Sequence, residues 1–249
     1  MILKHLTKLV PLIALLPAGN ASAALLSLQC VTNNNADACA IGEQQLQIDV
    51  TESAQNNGVN ILFTNIDNND LTINGIDPNP SIHEIYFDTT EDIFPNTFSF
   101  SSIGVTPSAN DSTSNVRFGD LEYPDTMTPR NLPGGNEVGF EASFGIESFE
   151  TAGSGIDEGG IDAGEWLNLN IARFSYDAFM LALNAGDLTI GLHVRSFDGG
   201  IDPLTGEEVE FSESFVTSTR VSAVPVPAAF WLFGSALIGF IGMSRKARA

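Results

Sequence analysis

The chain has 249 residues, of which 31 are acidic and 10 are lysine or arginine, so its formal net charge at neutral pH is −21. So strong a negative charge repels nucleic acid and anionic lipid headgroups, which excludes nucleic acid as a partner. Hydrophobic residues form 43% of the chain, which includes 17 phenylalanines, so the composition is that of a folded protein and excludes an intrinsically disordered one.

The N-terminal 23 residues have the three parts of a secretory signal peptide. Lys4 and Lys8 give a positively charged start, residues 9–16 form an apolar run, and residues 21–23 (Ala-Ser-Ala) form a small-residue cleavage site. The apolar run is too short to span a bilayer by itself. We therefore predict that the leader is cleaved, that the mature chain begins at Ala24 and that the protein is exported.

Residues 24–224 contain all 31 acidic residues, five arginines and no lysine, which gives this part of the chain a net charge of −26. Its length predicts one domain, with two small domains as the alternative. A surface of this charge attracts cations, basic proteins or divalent ions that bridge to acidic polysaccharide. Alternatively, the charge serves only to keep an exported domain soluble.

Cys30 and Cys39 are the two cysteines of the chain. In an exported protein an even count at short separation predicts a disulfide, and two free thiols are the weaker alternative. A loop this small stabilises by roughly 2–3 kcal/mol in the chain-entropy model, and we expect it to pin the first hairpin. Two cysteines without a histidine cluster are too few for a zinc site.

Apolar residues alternate with polar ones through most of the domain, a period of two that predicts antiparallel strands with one buried face. The clearest alternations lie at residues 46–50, 140–146, 167–171 and 188–195. Further strands are predicted at residues 59–65, 82–88, 97–101 and 213–219. Residues 103–136 are rich in proline and predict long loops with at most one short strand. About nine strands at this spacing predict an all-β fold over residues 24–222, an antiparallel β-sandwich of jelly-roll or immunoglobulin-like kind.

One short helix is predicted at residues 176–184. Ser175 can cap its start, and Gly186 can close its C-terminus in a left-handed conformation. Phe174 and Phe179 stand at the two positions of a hydrophobic staple around the cap.

No catalytic signature stands out in the domain. His193 falls on the polar face of a strand next to Arg195, where a solvent-facing or loop-covering role is usual, and His83 is not followed by the H-E-x-x-H spacing of a zinc helix. We predict no catalytic residue, and we expect the protein not to be an enzyme.

An acidic, glycine-rich loop at residues 155–165 contains the candidate calcium ligands Asp157, Asp162 and Glu165. Hard oxygen ligands at short spacing suit calcium, although the spacing is not that of an EF-hand. Residues 67–70 (Asp-Asn-Asn-Asp) are a shorter candidate. The alternative is that both stretches are ordinary turns rich in aspartate and glycine, and no other cofactor is predicted.

The C-terminal residues read as a membrane anchor. The uncharged stretch 228–243 predicts a transmembrane helix of about 24 Å, which the residues back to Val224 extend toward the roughly 30 Å hydrocarbon core. Arg245, Lys246 and Arg248 follow at once and hold the C-terminus in the cytoplasm by the positive-inside rule.

The tail strongly resembles the PEP-CTERM sorting signal of Gram-negative bacteria, in its VPLPA-type variant. The resemblance covers residues 224–249 and rests on the motif, on the stretch WLFGSALIGFIG and on the basic end SRK, so we assign 223–249 to the signal. It implies that an exosortase-like membrane protease recognises Pro225, Val226 and Pro227 and processes the tail. Val226 stands where the type signal has glutamate, a departure that the variant shares. The stretch LNAGDLTIGLHVRSFDGG resembles ectodomains that carry such tails and implies no activity.

These features predict an exported, non-enzymatic cell-surface or extracellular-matrix protein. It would be held in the inner membrane by its C-terminus before processing and then be presented at the cell surface or outside the cell. The resemblance implies a setting of exopolysaccharide and biofilm matrix. One alternative is a carbohydrate-binding module, which requires exposed aromatics, yet Trp166 is the one tryptophan of residues 24–224 and its neighbours alternate as core. The other alternative is a secreted hydrolase, which requires a clustered polar site.

Overall fold

The computed structural model describes residues 23–53, 57–67, 80–90, 103–107, 116–149, 159–201 and 208–223. These residues form nine β-strands and two α-helices. The strands are β1 (Ala23–Cys30), β2 (Leu46–Ser53), β3 (Gly58–Asn65), β4 (Ser81–Thr89), β5 (Ile103–Pro107), β6 (Phe144–Glu147), β7 (Trp166–Ile171), β8 (Leu188–Ile201) and β9 (Glu208–Ala223). The helices are α1 (Ala36–Gln45) and α2 (Tyr176–Ala185), and a 3-10 helix spans Gly135–Val138.

All nine strands belong to one antiparallel sheet in the order β5-β7-β3-β2-β1-β9-β8-β4-β6. The prediction of a mostly β, antiparallel fold is confirmed. The two-sheet sandwich is not what forms, because β9 pairs with β1 on one side and with β8 on the other and so joins both halves. Irregular pairing between Val194 and Phe197 on β8, and between Leu26 and Leu28 on β1, bends these strands instead of breaking the sheet.

The sheet curls around one hydrophobic core. Buried residues of β2 and β3, such as Ile48 and Phe63, belong to the same cluster as Ile85 of β4 and Ile190 of β8, although these strand pairs lie on opposite sides of β1 and β9. Phe215 of β9 is fully buried within it. One face of every long strand therefore points inward, as the period-two alternation requires.

The outer face of β4 and β8 is covered by residues 121–142, here called the covering segment. Tyr86 of β4 packs there against Met127, Leu132 and Phe140 in a second hydrophobic cluster, and its hydroxyl donates a hydrogen bond of 3.0 Å to the carbonyl of Pro129. The predicted strand at 140–146 is therefore correct only for its second half. Phe140 lies in the covering segment and packs on the outside of the sheet, which alternation alone does not reveal.

Helix α2 confirms the predicted helix and its ends. The side chain of Ser175 accepts a hydrogen bond from the Ala178 amide, and Gly186 has a φ of 80° at the C-cap. The rings of Phe174 and Phe179 meet edge to face with centroids 5.7 Å apart, as the staple predicts. The prediction of a single helix is wrong, because α1 follows β1.

The leader, the sorting motif and the predicted anchor at 228–243 lie outside the described residues, as does the predicted strand at 97–101. These remain predictions. Within the described part of the chain, no helix is both long and apolar enough to cross a membrane. Strand β1 begins at Ala23, the last residue of the predicted leader, and Ala24 pairs with Ala223 of β9.

Candidate functional site

The disulfide between Cys30 and Cys39 is confirmed, with the two Cα atoms 5.5 Å apart. It does not pin a hairpin, as predicted, but joins the end of β1 to the first turns of α1. The side chain of Asn35 caps that helix by accepting hydrogen bonds from the Asp37 and Ala38 amides. The cross-link therefore fixes the position of a short helix that the strand pattern did not predict.

Beside the disulfide, the carboxylate of Glu213 is fully buried on β9. Its Oε2 accepts hydrogen bonds from the Asn34 amide at 3.0 Å and the Thr32 hydroxyl at 2.5 Å, and its Oε1 accepts one from the Asn35 amide at 2.5 Å. Backbone donors thus compensate the buried charge. The carboxylate organises the turn that leads into α1.

The sulfurs of Cys30 and Cys39 and a carboxylate oxygen of Glu213 lie within 4.8 Å of one another, the one such cluster of metal-ligand types found in the described residues. Both sulfurs are joined in the disulfide and carry no thiolate, the form in which cysteine binds metals. The cluster is therefore structural.

A second buried carboxylate, Glu84 of β4, sits at the centre of an ionic cluster. His193 Nδ1 lies 2.7 Å from Glu84 Oε2, and the Arg195 guanidinium donates to Glu84 Oε1. The Glu84 side chain is 4% exposed. His193 is buried, so the solvent-facing alternative is wrong, and its ring contacts Glu84 on the neighbouring strand.

Glu147 of β6 stands directly across from Glu84 in the strand pairing. Burial raises the pKa of its carboxyl, and the negative charges of Glu122 and Glu84 raise it further, although a 2.6 Å hydrogen bond from the Thr128 amide opposes them. A cavity of about 370 Å³ opens beside this pair and Arg195. Glu84 itself contacts His193 of β8 and Arg195 of β8, so this carboxylate joins β4 to β8 at the side of the cavity.

His83, the other histidine of the domain, is also buried. Its Nδ1 lies 2.8 Å from the Ser148 hydroxyl, and its backbone carbonyl accepts a hydrogen bond from the Ser148 amide. The structure therefore separates the two histidines: His83 joins β4 to the residue after β6, whereas His193 joins β8 to β4. Neither contact has the geometry of a zinc helix.

Of the three candidate calcium ligands, Asp157 lies outside the described residues. Asp162 and Glu165 form a closed turn in which the Asp162 amide donates to the Glu165 carboxylate at 3.0 Å and the Glu165 amide donates to the Asp162 carbonyl at 2.9 Å. This arrangement matches the alternative of an ordinary turn. Calcium binding remains a prediction that depends on Asp157.

A buried amide network holds this turn against the sheet. Asn65 at the end of β3 donates to the carbonyls of Pro80 at 2.6 Å and Ile161 at 2.9 Å, and its oxygen accepts from Gln45 of α1 at 2.8 Å. Its backbone carbonyl accepts from the Gly164 amide at 2.8 Å. The end of α1 and the residues before β7 are therefore fixed to one another through Asn65.

A shallow groove of about 390 Å³ lies on the outer face of β2, β3 and β7 and is here called the outer groove. Its lining side chains are Asp49 and Thr51 of β2, Asn60, Leu62 and Thr64 of β3, and Trp166 and Asn168 of β7. Strand pairing sets Trp166 beside Thr64, and Asn168 beside Leu62, which itself pairs with Asp49.

Trp166 was expected to belong with the core, and the structure places it differently. Its neighbours Leu167 and Leu169 are fully buried, and alternation therefore sends Trp166 and Asn168 to the outer face, where both are partly exposed. The alternation that identified the core also predicts this direction, because Trp166 directly precedes the buried Leu167 and must therefore face the other side of the strand.

Polar groups within and beside the outer groove are already ordered. The Asn170 side-chain amide donates to Asn60 Oδ1 at 2.6 Å and to the Ser53 hydroxyl at 3.1 Å. Burial raises the pKa of Asp49. The described residues give the Asp49 carboxylate no hydrogen-bond donor, and this half-buried group faces the solvent in the groove.

Comparison of the chain with protein-family models, with curated proteins and with solved structures finds no match.

Proposed function

We propose that this protein is an exported, non-enzymatic component of the cell surface or extracellular matrix, sorted through its C-terminal signal by an exosortase-type system. The single observation that carries the proposal is the Cys30–Cys39 disulfide, because such bonds persist in oxidising compartments outside the cytoplasm. The predicted secretory leader and the resemblance of residues 224–249 to a sorting signal support the same proposal.

The ends of the domain are compatible with processing on both sides. Ala24, the predicted first residue of the mature chain, pairs with Ala223, the last described residue before the tail. Removal of the leader and of the tail would therefore remove the Ala23–Thr51 pair at the start of β1 and leave the other described pairs of β1 with β2 and β9 in place. In the proposed route, the domain would be held at the inner membrane by residues 228–243 until the protease acts at Pro225, Val226 and Pro227.

A non-enzymatic role agrees with the way the polar residues of the domain are used. Glu213 receives three donors from the turn before α1, and Glu84 receives His193 and Arg195. Both carboxylates are engaged in holding elements together, while the open surface of the outer groove has the character of a binding face. We propose that the matrix partner is exopolysaccharide.

The intact mass of the protein recovered from its native host tests the sorting proposal. We expect a species that begins at Ala24 and ends within 225–229, and that resists thiol alkylation until it is reduced. The double substitution Pro225→Ala and Pro227→Ala should retain the tail, whereas Pro124→Ala, a proline outside the motif, should be processed normally. A wild-type mass that still includes residues 231–249 would show that the tail is a plain membrane anchor.

A further inference from the structure

We propose that the outer groove is a binding site for a neutral polysaccharide chain, with Trp166 as the stacking platform and the amide, hydroxyl and carboxylate groups beside it as hydrogen-bonding partners. This inference rests on the proposed function, in which the domain is presented to an extracellular matrix. It assigns the polysaccharide contact to the outer face of β2, β3 and β7.

The shape of the outer groove suits an extended ligand. Three neighbouring strands about 4.8 Å apart form its floor, and the lining positions along each strand recur every second residue, about 6.6 Å apart. The register aligns Trp166 with Thr64, and Asn168 with Leu62 and Asp49. The result is a shallow, open trough on a rigid sheet, to which a chain can bind along its length without an end having to enter.

The lining chemistry matches a sugar ring, which has apolar C–H faces and hydroxyl groups around its edge. Trp166 and Leu62 supply apolar surface, and an indole offers a large flat area at low entropy cost. Asn60, Asn168 and Thr64 carry groups that both donate and accept hydrogen bonds.

Asp49 adds a demand that a hydroxyl-rich ligand satisfies. Its carboxylate can only accept hydrogen bonds, and the described residues bring it no donor although it is half-buried. Because the groove is open, water reaches this carboxylate in the unbound protein. A sugar hydroxyl placed over β2 can donate to it in place of that water.

Charge selects a neutral chain over an acidic one. The groove lining contains the carboxylate of Asp49 and no arginine, and residues 24–224 carry a net charge of −26. A polyuronate or a nucleic acid would therefore meet repulsion without any cation to bind it.

The outer groove is also exposed to a ligand. The covering segment packs over β4 and β8, whereas none of the described residues packs as a layer over the outer groove.

The test is native gel electrophoresis of the full chain, in a detergent without a sugar headgroup, through gels that contain one polysaccharide each. The neutral probes are hydroxyethylcellulose, dextran and galactomannan, and the acidic probe is alginate. We expect at least one neutral probe to retard the wild type and alginate to have no effect. Trp166→Ala should weaken binding by at least about tenfold, the factor that corresponds to 1.4 kcal/mol.

Matched variants separate binding from folding. Tyr123→Ala removes another exposed aromatic, 52% accessible and outside the groove, and should bind like the wild type. Trp166→Tyr should restore part of the affinity because it keeps an aromatic platform. Circular dichroism must show an unchanged fold for Trp166→Ala. If that variant unfolds, Asn168→Ala takes its place, with the same weakening expected.

A direct readout follows from the tryptophan content. The chain has two tryptophans, so Trp231→Phe leaves Trp166 as the sole one, and a neutral glycan bound in the groove should shift its fluorescence. Retardation that Trp166→Ala leaves unchanged, or the lack of retardation by every neutral probe, would overturn the proposal. Because the sorting proposal is judged by intact mass, either proposal can fail while the other stands.

Discussion

The buried carboxylate of Glu213 offers the sharpest test of how the N-terminal part of the domain is held. Its two oxygens each accept a backbone N–H, from Asn34 and from Asn35, and the Thr32 hydroxyl adds a third donor. Glu213→Gln keeps the size and shape of the side chain. It nevertheless replaces one accepting oxygen with an NH₂ group, which must face one of the two backbone donors.

The expected loss of stability can be estimated from these contacts. A buried N–H left without an acceptor costs about 1–3 kcal/mol, and the bonds that remain fall from charge-assisted to neutral strength. Relief of the buried charge opposes this loss, since an ion held away from water carries a desolvation cost. We expect Glu213→Gln to lower the free energy of unfolding by about 2–4 kcal/mol.

Urea unfolding followed by circular dichroism measures this change. With a slope of about 2–3 kcal/mol per molar urea, the midpoint should fall by about 1 M. Glu210→Gln is the matched control, because it makes the same chemical change at an exposed position of β9 and should stay within about 0.5 kcal/mol of the wild type. Equal midpoints for the two variants would refute the assignment of Glu213 as the acceptor that holds the turn.

Two further substitutions have defined outcomes. Burial raises the folded-state pKa of Asp49, so the wild type loses stability as pH rises from the ordinary aspartate value through the raised one. Asp49→Asn should therefore melt above the wild type at pH 7 and converge with it at pH 3, and a pH-independent difference would contradict this reasoning. In α1, a Cβ at Gly42 would lie 2.1 Å from Cζ of the buried Phe215. Gly42→Ala should lower stability by about 1–3 kcal/mol in spite of a helix-propensity gain of about 1 kcal/mol, and a raised melting temperature would show that the ring can move aside.

The sequence alone identifies most of the strands because alternation depends on each strand's own two faces. The pattern at residues 46–50 reappears as the inward and outward positions of β2, and that at 167–171 as those of β7. Helix α2 could also be predicted from the sequence, because Ser175 caps its N-terminus and Gly186 ends it in a left-handed conformation. These elements can be predicted from local sequence, without knowing which segments of the chain pack together.

Features set by distant partners were not accessible from the sequence. Alternation does not say which strand pairs with which, so the placement of β9 between β1 and β8, and with it the single sheet, went unpredicted. Glu84 and His193 are polar residues on strands, and their contact depends on the pairing of β4 with β8, which alternation does not reveal. Helix α1 contains Gly42 and few large apolar residues, and the disulfide and the Glu213 turn position it.

Helix α1 did leave a local signal. Asn35 caps its start, and Asp37 lies in its first turn, where a negative charge is favourable. The outward direction of Trp166 was likewise present in the alternation of β7. No sequence pattern could predict which residues surround that tryptophan. The polar residues of the outer groove come from three strands, and Asp49 and Asn168 lie more than a hundred positions apart in the chain.

The central position of β9 constrains how the domain can be made. All other strands precede it in the chain, yet it separates β5-β7-β3-β2-β1 from β8-β4-β6. During synthesis the described sheet therefore stays in two parts, with β1 and β8 at unpaired edges, until residues 208–223 emerge. Unpaired edges recruit other chains. The described sheet is consequently completed only when residues 208–223 are available, and a chain interrupted before Glu208 would leave two incomplete sheets prone to aggregate.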